Sequence, residues 1–339
     1  MTRPDKPALV SVITTVYNAE PFLERTLRSL LNQTFSDFEA IVIDDGSTDG
    51  TADLVTGLAE RDPRIRLIRQ QNGGYSRAVN RGLAEARGEL VAFLDHDDMW
   101  RPEKLQKQVD RMNQDQQTGL VGCFSALLDE SHQCIGWRFG SPASGMVYRD
   151  MRFCDLVAGG SVPLIRREAI EQVGLFDVSP EVQGRSDWDA WLRVSRHCRF
   201  ATVEEILVGY VRRPGNYSAD YQRMIKAGAA VLAKAAAMDP ELEGSGLQRA
   251  HARDVFGIFC LSMADGNLEE ASRVLRQSLK ISWVPVLISP PRWGIMLLFA
   301  LTRILPENAY HRIWSVVART MFGIRPGEKF MAESVHTSG

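Results

Sequence analysis

The sequence predicts an α/β protein: a mostly parallel sheet flanked by helices over residues 1–219, with an all-α C-terminal region over 220–339. Three observations predict it. Short β-branched runs alternate with amphipathic helical runs from Ala8 to Gln114, the pitch of strand–helix–strand units. Two of the predicted strands end in clustered acids, Asp44-Asp45 and Asp95-His-Asp-Asp98. From Asp220 onward the chain turns to helix formers, with Ala227 to Ala237 almost uninterrupted.

The elements follow in order. Ala8 to Thr15 reads as a strand, and the helix after it, from about Pro21 to Asn32, carries Phe22, Leu23, Leu27, Leu30 and Leu31 on one face. Phe38 to Ile43 is a second strand, and Asp44-Asp-Gly-Ser-Thr-Asp-Gly50 is turn chemistry leading to a helix over 51–60. Ile65 to Ile68 is a third strand, followed by a helix over 76–86. Leu90 begins a short strand buried on both faces, and an amphipathic helix covers 103–114. Leu120 to Leu128 is a further strand, and Gly and Ser within 135–147 suggest hairpins or a mobile loop. Val162 to Ile165 is a strand and 167–173 a short helix. Trp188, Trp191, Leu192 and Val194 make a helical stripe that places Asp187 near a helix N-terminus, where the dipole favours an ionised carboxylate and the simplest role is an N-cap. Residues 250–263 and 268–281 form a helical hairpin broken at Gly266.

Composition excludes several classes. A net charge of -2 gives no general nucleic-acid binder. Five scattered cysteines without a C-x-x-C spacing favour free thiols in a reducing compartment over disulfides or a zinc site. No apolar core of signal-peptide type precedes the first strand, so a cytoplasmic protein is expected. The tail holds an apolar run interrupted by Arg303, too short to span a bilayer, and six Lys/Arg against two Glu over 285–330. It reads either as a membrane-interface segment over about 283–324, at the inner face of the plasma membrane, or as helices packed on their neighbours.

Three carboxylates in four positions at a buried strand's end need a cation unless they form a solvated capping turn. Hard divalent ions completed by phosphate oxygens meet that need, and the strand ends are where α/β sheets bind ligands. Neither a P-loop nor a G-x-G-x-x-G follows the first strand, so a bound nucleotide would rest on carboxylates and a metal.

With these residues assembled, the chain resembles a family 2 glycosyltransferase of the GT-A fold over about residues 9–218. The motifs are Val10-Ser-Val-Ile-Thr-Thr-Val-Tyr-Asn18, Gln33-Thr-Phe-Ser-Asp-Phe38, Asp44-Asp-Gly-Ser-Thr-Asp49 and Leu94-Asp-His-Asp-Asp98 in DXD form. Ile165-Arg-Arg167 with Val173-Gly-Leu-Phe-Asp177, and Asp187-Trp-Asp-Ala-Trp-Leu-Arg193, complete the set. The resemblance implies that Thr15, Tyr17 and Asp45 hold the base and ribose of a nucleotide-diphospho-sugar, a UDP-sugar as first expectation. It implies Asp95 at the ribose or metal shell, Asp97 as ligand of Mn2+ or Mg2+, and Asp187 as the base of an inverting transfer to a glycan or lipid-linked acceptor. Ser186 departs from the family's usual Glu at that place, which leaves acceptor geometry open. No Gln-x-x-Arg-Trp is present, so one sugar per encounter is expected. A sugar-phosphate nucleotidyltransferase and a non-catalytic nucleotide-binding adaptor remain as alternatives.

Overall fold

The computed structural model describes residues 8–213, 215–284, 296, 299–300 and 328–331. Strand β1 (Val10–Val16) is buried along its whole length, as a parallel strand covered on both faces must be. Helix α1 (Glu20–Leu31) has Pro21 in its first turn, where the missing N–H costs nothing, and buries Leu23, Leu27 and Leu30. Next come β2 (Phe38–Asp44), α2 (Thr51–Ala59), β3 (Ile65–Arg69), α3 (Tyr75–Glu85) and β4 (Leu90–Phe93). These four strands lie in the order β3-β2-β1-β4, all parallel. Because β2 and β4 flank β1 and point the same way, Asp44-Asp45 and Asp95–Asp98 leave the sheet at one edge, as the sequence predicts.

The sheet continues with strands of mixed direction. In chain order the elements are β5 (Met99–Trp100), α4 (Lys104–Asn113), β6 (Thr118–Leu128), β7 (Cys134–Phe139), α5 (Tyr148–Met151) and β8 (Leu164–Arg166). Then follow α6 (Arg167–Val173), α7 (Ser186–Val194) and β9 (Arg199–Val211). β8 runs antiparallel to both β4 and β6, β9 runs parallel to β6, and β5 closes the edge antiparallel to β9. The Gly- and Ser-containing segment after Cys134 begins with β7, which pairs with β6 as an antiparallel hairpin. β9 has no counterpart in the sequence pattern: Glu204-Glu205 interrupt it, and register shifts against β6 break its two-residue period.

Phe93 at the end of β4 meets Phe176 at 5.4 Å and Trp191 of α7 at 5.7 Å, and those two rings meet edge-on at 5.6 Å. Such pairs contribute about 0.5–1.5 kcal/mol each beyond burial. They clamp the strand that delivers Asp95 to the helix that delivers Asp187.

Helices α8 (Tyr221–Ala237), α9 (Ser245–Ala264) and α10 (Leu268–Ile281) form the C-terminal part. Val231, Leu232 and Ala235 of α8 enter the main core, while α9 and α10 build a second apolar cluster around Leu127 of β6. Gly266, at φ +71°, turns the hairpin, and the Asn267 side chain caps α10 by accepting from the Glu270 amide at 3.1 Å. The segment expected at a membrane interface, about 283–324, lies outside the described residues except for 283, 284, 296, 299 and 300. Among the described residues no helix is long and apolar enough to cross a membrane. Among the described residues no disulfide joins the cysteines.

Candidate active site

The crevice lies beyond the carboxyl ends of β1, β2 and β4. Near the end of β1 Thr15 is buried, and just past the strand Tyr17 is 50% exposed. Asn18, at φ +48°, is held by the Ser47 hydroxyl on its amide at 3.0 Å and by its own Oδ1, which accepts from the Thr48 amide at 2.9 Å. Asp44 and Asp45 divide the work at the end of β2. Asp44 is fully buried, accepting from the Ser47 amide at 2.8 Å and from Arg69 at 2.9 Å. Asp45 accepts from Gln70 at 2.7 Å and from the amides of Gly73 and Gly74 at 2.9 and 2.8 Å. Its carboxylate therefore shapes the loop leading into α3 and retains lone-pair capacity for one further donor.

At the end of β4 the three acids differ in kind. Asp98 is buried and structural: it accepts from the Ser161 hydroxyl at 2.6 Å and from the Val211 amide at 3.2 Å, tying β4 to β9. Burial pushes its carboxyl well above the ordinary value. Asp95 bonds the Tyr75 hydroxyl, and Gly160 packs against both; a Cβ there would stand 3.0 Å from the hydroxyl and 3.1 Å from Asp95 Oδ2. Burial, then the charges of Asp97 and Asp187, push the Asp95 carboxyl up to about 7. Asp97 accepts on Oδ2 from Arg213, at 2.8 Å from Nη2 and 3.1 Å from Nε. The same Arg213 lies 3.0 Å from His96 Nε2 and 4.1 Å over the Phe22 ring.

Asp187 faces this rim from α7. It stands inside the helix, with Arg185 at the cap position, so the expected N-cap role is not the one it has. Its Oδ1 accepts from the Trp188 amide at 2.8 Å. Burial pushes its carboxyl up, against the lowering pull of that amide and of the Arg185 guanidinium. Arg185 in turn is paired at 2.9 Å with Asp254 of α9. Asp155, on the loop after α5, is pushed up to about 7 by burial and by the charge of Asp187. Ser186, where the resemblance expects a Glu, is buried beside them.

The structure thus brings Asp95, Asp97 and Asp187 to one crevice, with Thr15, Tyr17 and Asp45 on the neighbouring strand ends. Tyr75, Asp155, Arg185 and Arg213 join them without any signal in motif spacing, since each arrives from a separate loop or helix start. Among the described residues no group of three or more His, Cys, Asp or Glu is arranged to hold a metal ion by itself. Asp97, with Asp95 beside it, is the one-or-two-carboxylate donor set that Mg2+ or Mn2+ uses when phosphate oxygens complete the shell, so the residues fit that kind of metal.

Residues 11–154 match the family model for glycosyl transferase family 2. The putative teichuronic acid biosynthesis glycosyltransferase TuaG of Bacillus subtilis is 33% identical over 185 residues, 54% of this chain and 71% of that protein. The chain belongs to glycosyltransferase family 2. The uncharacterized glycosyltransferase alr2836 of Nostoc sp. is 49% identical over 102 residues, 30% of this chain. That match spans about a third of the relative's length (32%). Among solved structures, the mannosyltransferase PcManGT from Pyrobaculum calidifontis, in complex with GDP-Man and Mn2+, superposes with a TM-score of 0.57 at 21% identity. The superposition covers 93% of this chain and 88% of that one. The family 2 fold is accordingly GT-A, and the crevice built above lies at the strand ends where an α/β sheet places its ligand.

Proposed function

We propose that the chain transfers one sugar, with inversion, from a nucleotide-diphospho-sugar to an acceptor hydroxyl during assembly of a surface polysaccharide or glycolipid. The observation that carries this reading is Asp187 on α7 facing Asp95 and Asp97 at the end of β4, in a family 2 fold. Residues 1–219 would form the transferase domain, with the helices of 221–281 packed against it. TuaG, whose name assigns it to teichuronic acid biosynthesis, supports a surface polymer as product. The complex of PcManGT with GDP-Man and Mn2+ supports a nucleotide-sugar donor and a divalent ion. A UDP-sugar donor and a lipid-linked acceptor at the inner membrane face remain the first choices to test.

In this reading Thr15, Tyr17 and Asp45 hold base and ribose, and Asp95 holds the ribose side of the diphosphate. Asp97 is the carboxylate for Mn2+ or Mg2+, which, when bound, neutralises charge growing on the diphosphate. The acceptor oxygen forms a bond to the anomeric carbon from the face opposite the diphosphate, the bond to the diphosphate oxygen breaks, and the nucleoside diphosphate leaves. Asp187 takes the acceptor's proton. Its partial burial suits it to that task, because a base with a raised pKa accepts a proton more readily.

The test is donor binding and turnover across a panel of nucleotide-sugars, with Mn2+ and with chelator, for wild type, Asp97→Ala and Asp187→Ala. Metal-dependent use of one donor, lost in both variants, is the expected result. Full activity in the two variants would sink the mechanism. Donor binding without turnover by the wild type would favour an adaptor, the reading that Ser186 supports.

A further inference from the structure

The guanidinium of Arg213 occupies the carboxylate expected to hold the metal. Two of its N–H groups converge on a single oxygen, Asp97 Oδ2, at 2.8 and 3.1 Å, while His96 Nε2 and the Phe22 ring hold its remaining edge and face. The two side chains are only 18% and 10% exposed, so water screens the pair poorly. A divalent ion ligated at about 2.0–2.1 Å by that oxygen, the magnesium distance, would stand within a few ångströms of the guanidinium, where two cations repel. We propose that Arg213 is a displaceable internal counter-ion on Asp97, holding down affinity for a lone divalent cation until an anionic ligand takes the guanidinium over. The inference rests on Asp97 as metal ligand.

The surrounding structure allows the exchange. The backbone leading to Arg213 is fixed, since Asp98 binds the Val211 amide and Asp265 binds the Arg212 side chain. Release is therefore a side-chain movement that leaves the loop's anchors in place. A diphosphate presents oxygens that match a guanidinium fork, so it offers Arg213 a replacement partner while compensating the incoming metal's charge.

The experiment is calorimetric titration of the nucleotide-free full chain with Mn2+ alone. Arg213→Gln is expected to bind Mn2+ roughly tenfold more tightly than wild type, the scale of one charge-assisted contact removed from the competing side. Phe22→Leu, which removes the ring under the guanidinium, is expected to shift affinity the same way by less. General damage to the fold would lower affinity, so a gain in either variant reports the counter-ion. With saturating UDP or GDP present, the gain is expected to vanish; a gain of the same size with nucleotide overturns the exchange. No gain in both variants overturns the inference, provided Asp97→Asn abolishes Mn2+ binding. Mn2+ binding retained in Asp97→Asn instead overturns the ligand assignment beneath it.

Discussion

At Asp187, burial raises the carboxyl's pKa while the Trp188 amide and the Arg185 guanidinium lower it, and burial wins. With Asp187 as the proposed general base, which works only when ionised, turnover is expected to fall as pH falls through a value above this carboxyl's ordinary one. Replacing Arg185 with Gln removes a positive charge that favours the ionised form. The acidic limb of the pH–kcat profile is therefore expected to move to higher pH, and an unmoved limb would remove Arg185 from this role. Asp187→Asn is expected to lower kcat by roughly 10²–10⁴ while leaving donor KM nearly unchanged, as steady-state kinetics would show. Asp95, Asp97 and Asp187 are legible in the sequence because each sits where a predicted element starts or ends. Arg213 is not, because it lies 116 residues from the carboxylate it binds, and no local spacing encodes that meeting. Asp187's place inside α7, beyond the cap, was also hidden, since a cap and a first-turn acid differ by two residues.

Among the elements, the loop after β9 governs how Arg213 is presented. Tyr217, in that loop, lies flat on Gly184 and donates its hydroxyl to the Gln183 carbonyl. A Cβ at Gly184 would stand 1.6 Å from the Tyr217 ring, and the residue's φ of +89° disfavours any other side chain. Gly184→Ala is therefore expected to destabilise the protein by about 1–3 kcal/mol in chemical denaturation and to lift the loop from the crevice. Retention of wild-type stability would show that the ring yields freely. The strands from β1 to β4 are legible because their apolar runs are short, continuous and set off by turn residues. β5 escapes notice because two residues carry no period, and β9 because its charged middle and bulged register imitate a loop.

Across the whole molecule, buried or half-buried ion pairs join the helical region to the α/β part. Arg152 meets Asp239 at 2.7 Å, Arg185 meets Asp254 at 2.9 Å, and Arg212 meets Asp265. Removing one partner of a buried pair costs about 3–5 kcal/mol, against a total stability of about 5–15 kcal/mol for a typical domain. A chain ending at residue 219 would lose all three acidic partners and uncover Leu127 of β6. It is expected to be insoluble or molten, and the full chain to melt in one transition by circular dichroism. A residue 1–219 fragment with native thermal stability would refute this. Arg212 and Arg213 are neighbours just past β9, yet one faces Asp265 and the other Asp97. An extended backbone alternates its side chains, so the parity of the chain at this point assigns anchor and counter-ion to their faces. Deleting Arg212 would turn Arg213 to the Asp265 face and leave the acidic rim without its cation.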